Sequence, residues 1–123
     1  MGRFINLAML LHRRGHEVEV IVSDFEHSSK KHREVMDNKY PFKLTYLHEP
    51  GYPGNVSPQR LWSHYIWGLN VEKYIKRLET KPDVIYSSLP TFSAARFVGK
   101  WCNKNGVNFV VDVQDLWPEA FKV

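Results

Sequence analysis

The chain has 123 residues, and 17 Lys and Arg against 13 Asp and Glu give it a formal net charge of +4. With 43% hydrophobic and 24% charged side chains, the composition excludes disorder over the whole chain and predicts one folded unit, because this length supports one core but not two. No apolar run reaches the roughly 20 residues of a membrane span, and the start lacks a signal-peptide pattern, so we expect a soluble, cytoplasmic protein.

The first half of the chain alternates helix and strand. Apolar residues at helical spacing predict a helix over residues 3–14, with Gly15 placed as a left-handed C-cap. β-branched residues predict a buried strand over residues 18–22. A charged segment, residues 25–41, is predicted to be a mobile excursion with a single helical turn, and a second strand is predicted over residues 42–47.

The second half repeats this alternation. Turn-forming residues fill positions 49–55, and Ser57-Pro58 then forms an N-cap pair for a helix that reaches about Leu78. The remaining predicted elements are a strand over 83–87, a helix over 90–105 that ends at Gly106, and a strand over 108–113. Because strands and helices alternate, the predicted fold class is α/β with a mainly parallel sheet.

The long helix that begins at Pro58 changes its apolar face half-way. The apolar residues of its two halves lie on opposite arcs: Leu61, Trp62, Tyr65, Ile66 and Leu69 in the first, and Val71, Tyr74, Ile75 and Leu78 in the second. We therefore predict a kink or break near Gly68. Trp62, Tyr65 and Trp67 either pack beneath the loop over residues 50–55 or line a cleft or a partner surface.

Polar residues cluster around the end of the last predicted strand. Parallel sheets bind ligands at the carboxyl ends of their strands, so Gln114 and Asp115 either contact a ligand hydroxyl or serve the architecture of the loop. Asp112 alternates with valines and needs polar partners, and capping a neighbouring loop is the favoured role. Glu119 follows Trp117-Pro118 and suits the first turn of a helix.

No metal site, cofactor or nucleic-acid site is predicted. The histidines are scattered, and Cys102, the single cysteine, is interpreted as a buried helical residue. The basic cluster of Lys30, Lys31 and Arg33 has acidic neighbours and no interleaved aromatic residues, so it is read as a solvated loop or, alternatively, a contact for anionic headgroups or a phosphorylated ligand. The seven-residue gap between Glu26 and Glu34 matches a paired-glutamate signature of sugar-nucleotide enzymes, but both lie in the charged excursion, so we interpret the match as chance.

Three segments resemble a known family. The segment GRFINLAMLLHRRGHEVEVIVSDF resembles the first helix and second strand of family 4 glycosyltransferases. These enzymes have the two-domain GT-B architecture. The resemblance continues through KPDVIYSSLP and, most specifically, VVDVQDLWPEAF. It covers essentially the whole chain but only the N-terminal half of the family's enzyme. It implies a Rossmann-like domain over residues 1–123 with helices on both faces of the sheet, and no C-terminal donor-binding domain.

The resemblance also implies a function. It indicates the acceptor-binding half of a retaining, nucleotide-sugar-dependent glycosyltransferase that makes polysaccharide or glycolipid, of the bacterial surface-polysaccharide type. In such enzymes the C-terminal domain holds the nucleotide sugar, the N-terminal domain holds the acceptor, and no metal is bound. We therefore expect no turnover by this chain alone. The expected partners are a sugar or lipid-linked acceptor and a donor held by the absent domain, with peripheral membrane contact and homo-oligomer formation as further expectations.

The family's site residues carry over to a few positions of this chain. Gln114 and Asp115 would touch the acceptor or the transferred sugar, and Glu119 would brace their turn. Ser88 and Pro90 would shape the neighbouring loop.

Two weaker candidates lie in the segment HEPGYPGNVSPQRLWSHY, which looks like a subgroup feature on the acceptor side. They are Arg60, which meets either a phosphate or a surface carboxylate, and His64.

The chain departs from the family in two ways. The strand and glycine loop that open the family's domain have no counterpart, so strands at Val18 and Val84 would flank an empty slot unless they pair directly or another chain fills it. At Gln114 many relatives have a histidine, and glutamine cannot titrate. The rival interpretations are a non-catalytic α/β module that binds a ligand or a donor-domain chain, and an adaptor that meets a membrane through its basic cluster.

Overall fold

The computed structural model describes residues 2–26, 31–32, 40–54, 57–88 and 92–113. In chain order the elements are α1 (Gly2–Arg13), β1 (Glu19–Ser23), β2 (Phe25–Glu26), β3 (Lys31–His32), β4 (Lys43–Leu47), α2 (Pro58–Lys76), β5 (Val84–Ser88), α3 (Phe92–Asn105) and β6 (Asn108–Asp112). Each element expected from the sequence in these ranges is present, and the short β2 and β3 pair lies in the segment that was expected to be an excursion.

Local sequence signals set the ends of the helices. Gly15 and Gly106 have φ of 89° and 69°, the left-handed backbone that glycine adopts without strain after a helix. Ser57 caps α2, since its Oγ accepts a hydrogen bond from the backbone N–H of Arg60 at 3.3 Å. Pro58 occupies the first turn, where no backbone N–H is needed.

The main strands pair in parallel, as the sequence predicts. β1 pairs with β4 and β5 pairs with β6, whereas β2 and β3 form a short antiparallel ladder. Among the described residues β1 and β5 are not hydrogen-bonded to each other, so the alternative in which they pair directly is not observed. The α/β class with parallel strands is thus confirmed, with its strands grouped in pairs rather than in one continuous ladder.

One core joins the two parallel pairs through α2 and α3. Its buried residues are Trp67, Val71, Ile75, Ala94, Val98, Cys102 and Val107, with Ile21, Leu47, Ile85 and Phe109 of the strands packed against them. Cys102 is 1% exposed, which confirms its interpretation as a buried helical residue.

Helices lie on both sides of the strands. Ile85 packs toward the core of α2 and α3, and the next residue, Tyr86, points to the opposite side because side chains alternate along a strand. There the Tyr86 ring meets Phe4 of α1, with ring centroids 5.9 Å apart. Within the described ranges, no helix is both long and apolar enough to cross a membrane.

Of the predicted kink or break near Gly68, the break is wrong, because α2 runs without interruption from Pro58 to Lys76. The glycine serves a different purpose: a Cβ at this position would lie 2.9 Å from the backbone nitrogen of Ala94, so its absence lets α3 approach α2 closely. The helix buries Val71 and Ile75 of its second apolar arc and leaves part of the first arc in solvent. Trp67 is in the core, whereas Leu61 and Trp62 are 74% and 59% exposed.

Candidate functional site

A buried hydrogen-bond network ties α2 to the carboxyl ends of β1 and β4. The side chain of Glu49, just after β4, accepts hydrogen bonds from Ser23 Oγ at the end of β1 and from Ser63 Oγ of α2, both at 2.7 Å. Ser63 has no exposed surface, and its Oγ also accepts a hydrogen bond from the backbone N–H of Gly51 at 2.9 Å. These residues, the Glu49 network, hold two strands, a helix and the loop over residues 48–54 in one arrangement.

Asp24 extends this network to an exposed imidazole. Its carboxylate accepts a hydrogen bond from the backbone N–H of Glu49 at 2.8 Å and lies 3.0 Å from Nδ1 of His48. The side chain of His48 is 62% exposed, and its backbone carbonyl accepts a hydrogen bond from Asn70 at 2.8 Å. His48 is therefore an accessible hydrogen-bonding group with a fixed backbone position and a carboxylate that orients its ring.

Two of the predicted site residues, Arg60 and His64, come together around Tyr52. The Arg60 guanidinium lies 5.7 Å from the centroid of the Tyr52 ring, and the His64 ring meets that ring edge-on at 5.8 Å. Tyr52 is buried and also packs on Phe25, with ring centroids 5.0 Å apart. Burial is the main cause that raises the pKa of Tyr52. Tyr52 of this loop thus packs on Arg60 and His64, whereas Trp67 belongs to the core and Trp62 is 59% exposed.

The second parallel pair brings Ser88 and Asp112 side by side. Ser88 is opposite Asp112 in the register, and both stand at the carboxyl ends of their strands. The Asp112 carboxylate, 15% exposed, accepts a hydrogen bond from Tyr86 Oη at 2.6 Å and pairs with the Arg3 guanidinium at 2.9 Å. The hydrogen bond to Asp112 is the main cause that raises the pKa of Tyr86. The predicted need of Asp112 for polar partners is confirmed, although they come from α1 and β5 and not from a loop.

The other predicted site residues, Pro90, Gln114, Asp115 and Glu119, lie outside the described residues. Sequence reasoning missed Asp24, His48 and Glu49, each of which lies one or two residues after a predicted strand. Their positions could have identified them, because parallel sheets bind ligands at the carboxyl ends of their strands, and this rule had already led to Gln114 and Asp115 after the last strand. Within the described ranges, no three His, Cys, Asp or Glu side chains group as metal ligands.

The carboxyl ends of both parallel pairs therefore carry polar side chains in an α/β chain, an arrangement that many families share. The family model described as Glycosyltransferase Family 4 matches residues 3–122. The chain belongs to this glycosyltransferase family. Comparisons with curated proteins and with solved structures give no match. Membership makes the chain a glycosyltransferase-family module, whose general partners are sugar or lipid acceptors and nucleotide-sugar donors.

Family membership indicates which kind of ligand the polar side chains at the carboxyl ends of the strands could meet. Sugars present hydroxyl groups that both donate and accept hydrogen bonds, and imidazole, carboxylate and hydroxyl side chains complement them. Side chains of these types stand at the strand ends: His48 follows β4, and Ser88 and Asp112 end β5 and β6, while the Glu49 network fixes the loop that carries His48.

Proposed function

We propose that the chain is the acceptor-binding half of a retaining, nucleotide-sugar-dependent glycosyltransferase for polysaccharide or glycolipid biosynthesis. The observation that carries this proposal is the accessible His48 imidazole, oriented by Asp24 at the carboxyl ends of parallel strands in a family 4 chain. The bacterial surface-polysaccharide type and a cytoplasmic location are parts of the same proposal.

Hydrogen-bonding capacity favours an acceptor sugar as the ligand of this edge. An exposed imidazole can donate to or accept from a hydroxyl, and the carboxylate behind it selects the tautomer. Gln114 and Asp115, which follow β6 in the chain, are proposed to add further contacts to the acceptor or to the transferred sugar. Glu119 and Pro90 are proposed to support these loops.

The proposed division of labour predicts that the chain does not transfer sugar unaided. The nucleotide sugar would be held by a separate donor-binding domain, so the two substrates would not meet on this half alone. We expect no release of nucleotide above background when the chain is incubated with a panel of nucleoside-diphosphate sugars and oligosaccharides. Robust transfer by the 123-residue chain would overturn this part of the proposal.

Acceptor binding is tested by replacing His48 with alanine. Loss of one hydrogen bond to a sugar hydroxyl should weaken oligosaccharide binding about 3- to 10-fold, measured by titration of amide chemical shifts with a panel of neutral and acidic oligosaccharides. His16→Ala is the matched control, because His16 is an exposed histidine after α1, on a different segment. Equal affinities of the two variants, or shifts confined to residues away from β1 and β4, would contradict an acceptor site at this edge.

A further inference from the structure

The exposed side of α2 and α3 carries an apolar patch that the core does not use. On α2, Leu61, Trp62 and Tyr65 are 74%, 59% and 42% exposed. The Trp62 and Tyr65 ring centroids are 6.0 Å apart, and Tyr65 meets Phe97 of α3 edge-on at 5.9 Å. These four residues, the aromatic patch, therefore form a continuous surface that crosses from one helix to the other.

A basic groove continues this surface toward the ends of the two helices. A cavity of about 140 Å³ between them is lined by Glu72, Lys76, Phe97, Lys100, Trp101 and Lys104. Lys76 is paired with Glu72 at 3.2 Å. Phe97 belongs both to the aromatic patch and to this lysine groove, so the two are neighbours on one face.

The same two helices carry a net positive charge. α2 and α3 contain six Lys and Arg and one acidic residue, Glu72. The rest of the chain has eleven basic and twelve acidic residues, so the whole positive surplus of the chain comes from these two helices. Three of these basic residues, Lys76, Lys100 and Lys104, line the groove with Glu72 as its one acidic lining residue, so the groove itself is net positive and attracts an anionic partner.

We propose that the aromatic patch and the lysine groove together dock the chain on an anionic lipid surface. Trp and Tyr have an apolar body and a polar tip, which suits the boundary between lipid headgroups and acyl chains. The lysines would face the headgroup phosphates, where each basic residue adds to the attraction. A protein partner fits less well, because lysine is depleted at protein interfaces.

This surface is separate from the proposed acceptor site around His48. Leu61, Trp62 and Tyr65 lie on the exposed arc of α2, whereas Ser63 and Trp67 lie on the buried arc that faces the strands. Lipid docking therefore does not rest on the identity of the acceptor, and a variant of the patch leaves the Glu49 network intact.

Vesicle co-sedimentation tests the proposal. We expect the 123-residue chain to bind vesicles that contain phosphatidylglycerol at least 10-fold more tightly than vesicles of phosphatidylcholine alone. Binding should weaken strongly as the salt concentration rises to about 1 M, where the Debye length is about 3 Å. Equal binding to both vesicle types, or none to either, would overturn the proposal.

Charge reversal tests the lysine groove. Lys100→Glu with Lys104→Glu should reduce binding to the anionic vesicles at least 10-fold. Arg13→Glu with Arg14→Glu changes the net charge by the same amount at the exposed end of α1 and should reduce binding no more than about 3-fold. Equal losses in the two double variants would mean that net charge alone, and not this face, governs binding.

A leucine pair tests the aromatic patch. Leu61→Ser should weaken vesicle binding about 10-fold, because it removes an apolar side chain from the lipid contact. Leu10→Ser, at a helical leucine of α1 that is 48% exposed, is the matched control and should bind like the unmodified chain. If the chain forms a dimer that Leu61→Ser dissociates, and vesicles are not bound, the patch joins two copies of the chain and the lipid proposal is wrong.

Discussion

Replacing Gly68 with valine is expected to lower the free energy of unfolding by about 3 kcal/mol. A Cβ at Gly68 would lie 2.9 Å from the backbone nitrogen of Ala94 and 3.0 Å from both the carbonyl carbon of Ser93 and Cδ2 of Phe97. Two of these atoms are backbone, so a side chain can be accommodated only if α3 moves away from α2. Urea unfolding followed by circular dichroism measures the loss.

Gly68→Ala separates this packing effect from helix propensity. Alanine is better than glycine inside a helix by about 1 kcal/mol, so propensity alone predicts stabilisation, whereas the close approach of α3 predicts destabilisation. Gly99→Ala is the control within α3, where the nearest atom is Cε1 of the Phe109 ring at 3.1 Å. An aromatic ring edge shifts more easily than backbone, so Gly99→Ala should cost less. Stabilisation of the chain by Gly68→Ala would contradict the proposed role of this glycine.

The elements were predictable because their signals are local. Gly15 and Gly106 mark helix ends within a few residues of the sequence that they terminate, and the Ser57-Pro58 pair does the same for the start of α2. The β-branched run that ends at Val22 likewise predicted a strand from neighbouring residues alone. Helix and strand order, and with it the α/β class, follow from such signals.

The packing of α2 could not be predicted in this way. Its sequence shows two apolar arcs, and periodicity does not say which arc faces the core. Trp62 and Trp67 are the same residue type in the same helix, yet Trp67 is buried and Trp62 is exposed. The difference arises because α3 packs against the side of α2 that contains Gly68 and Trp67. Which arc is buried therefore depends on α3, which begins at Phe92, 24 residues after Gly68 in the chain.

The candidate site was predictable in kind and only partly in detail. The rule that ligands bind at the carboxyl ends of parallel strands directs attention to the residues after β1, β4 and β6. It does not identify partners such as Glu49 and Ser23, which are 26 residues apart in sequence, or Asp112 and Arg3 on different elements. Those pairs are set by strand register and helix placement, which are tertiary properties.

The second large effect is expected at the Glu49 network, where Glu49→Leu should lower the free energy of unfolding by about 2–4 kcal/mol. Leucine accepts no hydrogen bond, so the hydroxyl groups of Ser23 and Ser63 would lose the carboxylate to which each now donates at 2.7 Å. Ser63 has no exposed surface, and water cannot replace the lost acceptor without a rearrangement of the loop over residues 48–54. Urea unfolding again measures the change, with Glu79→Leu, at an exposed glutamate, as the matched control.

Glu49→Gln distinguishes lost hydrogen bonds from lost packing. The amide keeps the shape of the side chain and one carbonyl oxygen, and a serine hydroxyl can rotate to accept from its NH₂ group, so the cost should be about 1 kcal/mol. The expected order of stability is the unmodified chain, then Glu49→Gln, then Glu49→Leu, with Glu79→Leu close to the unmodified chain. If Glu49→Leu were as stable as Glu79→Leu, the network would not hold the loop. In that case the orientation of His48, whose ring is linked to Glu49 through Asp24, would need another cause.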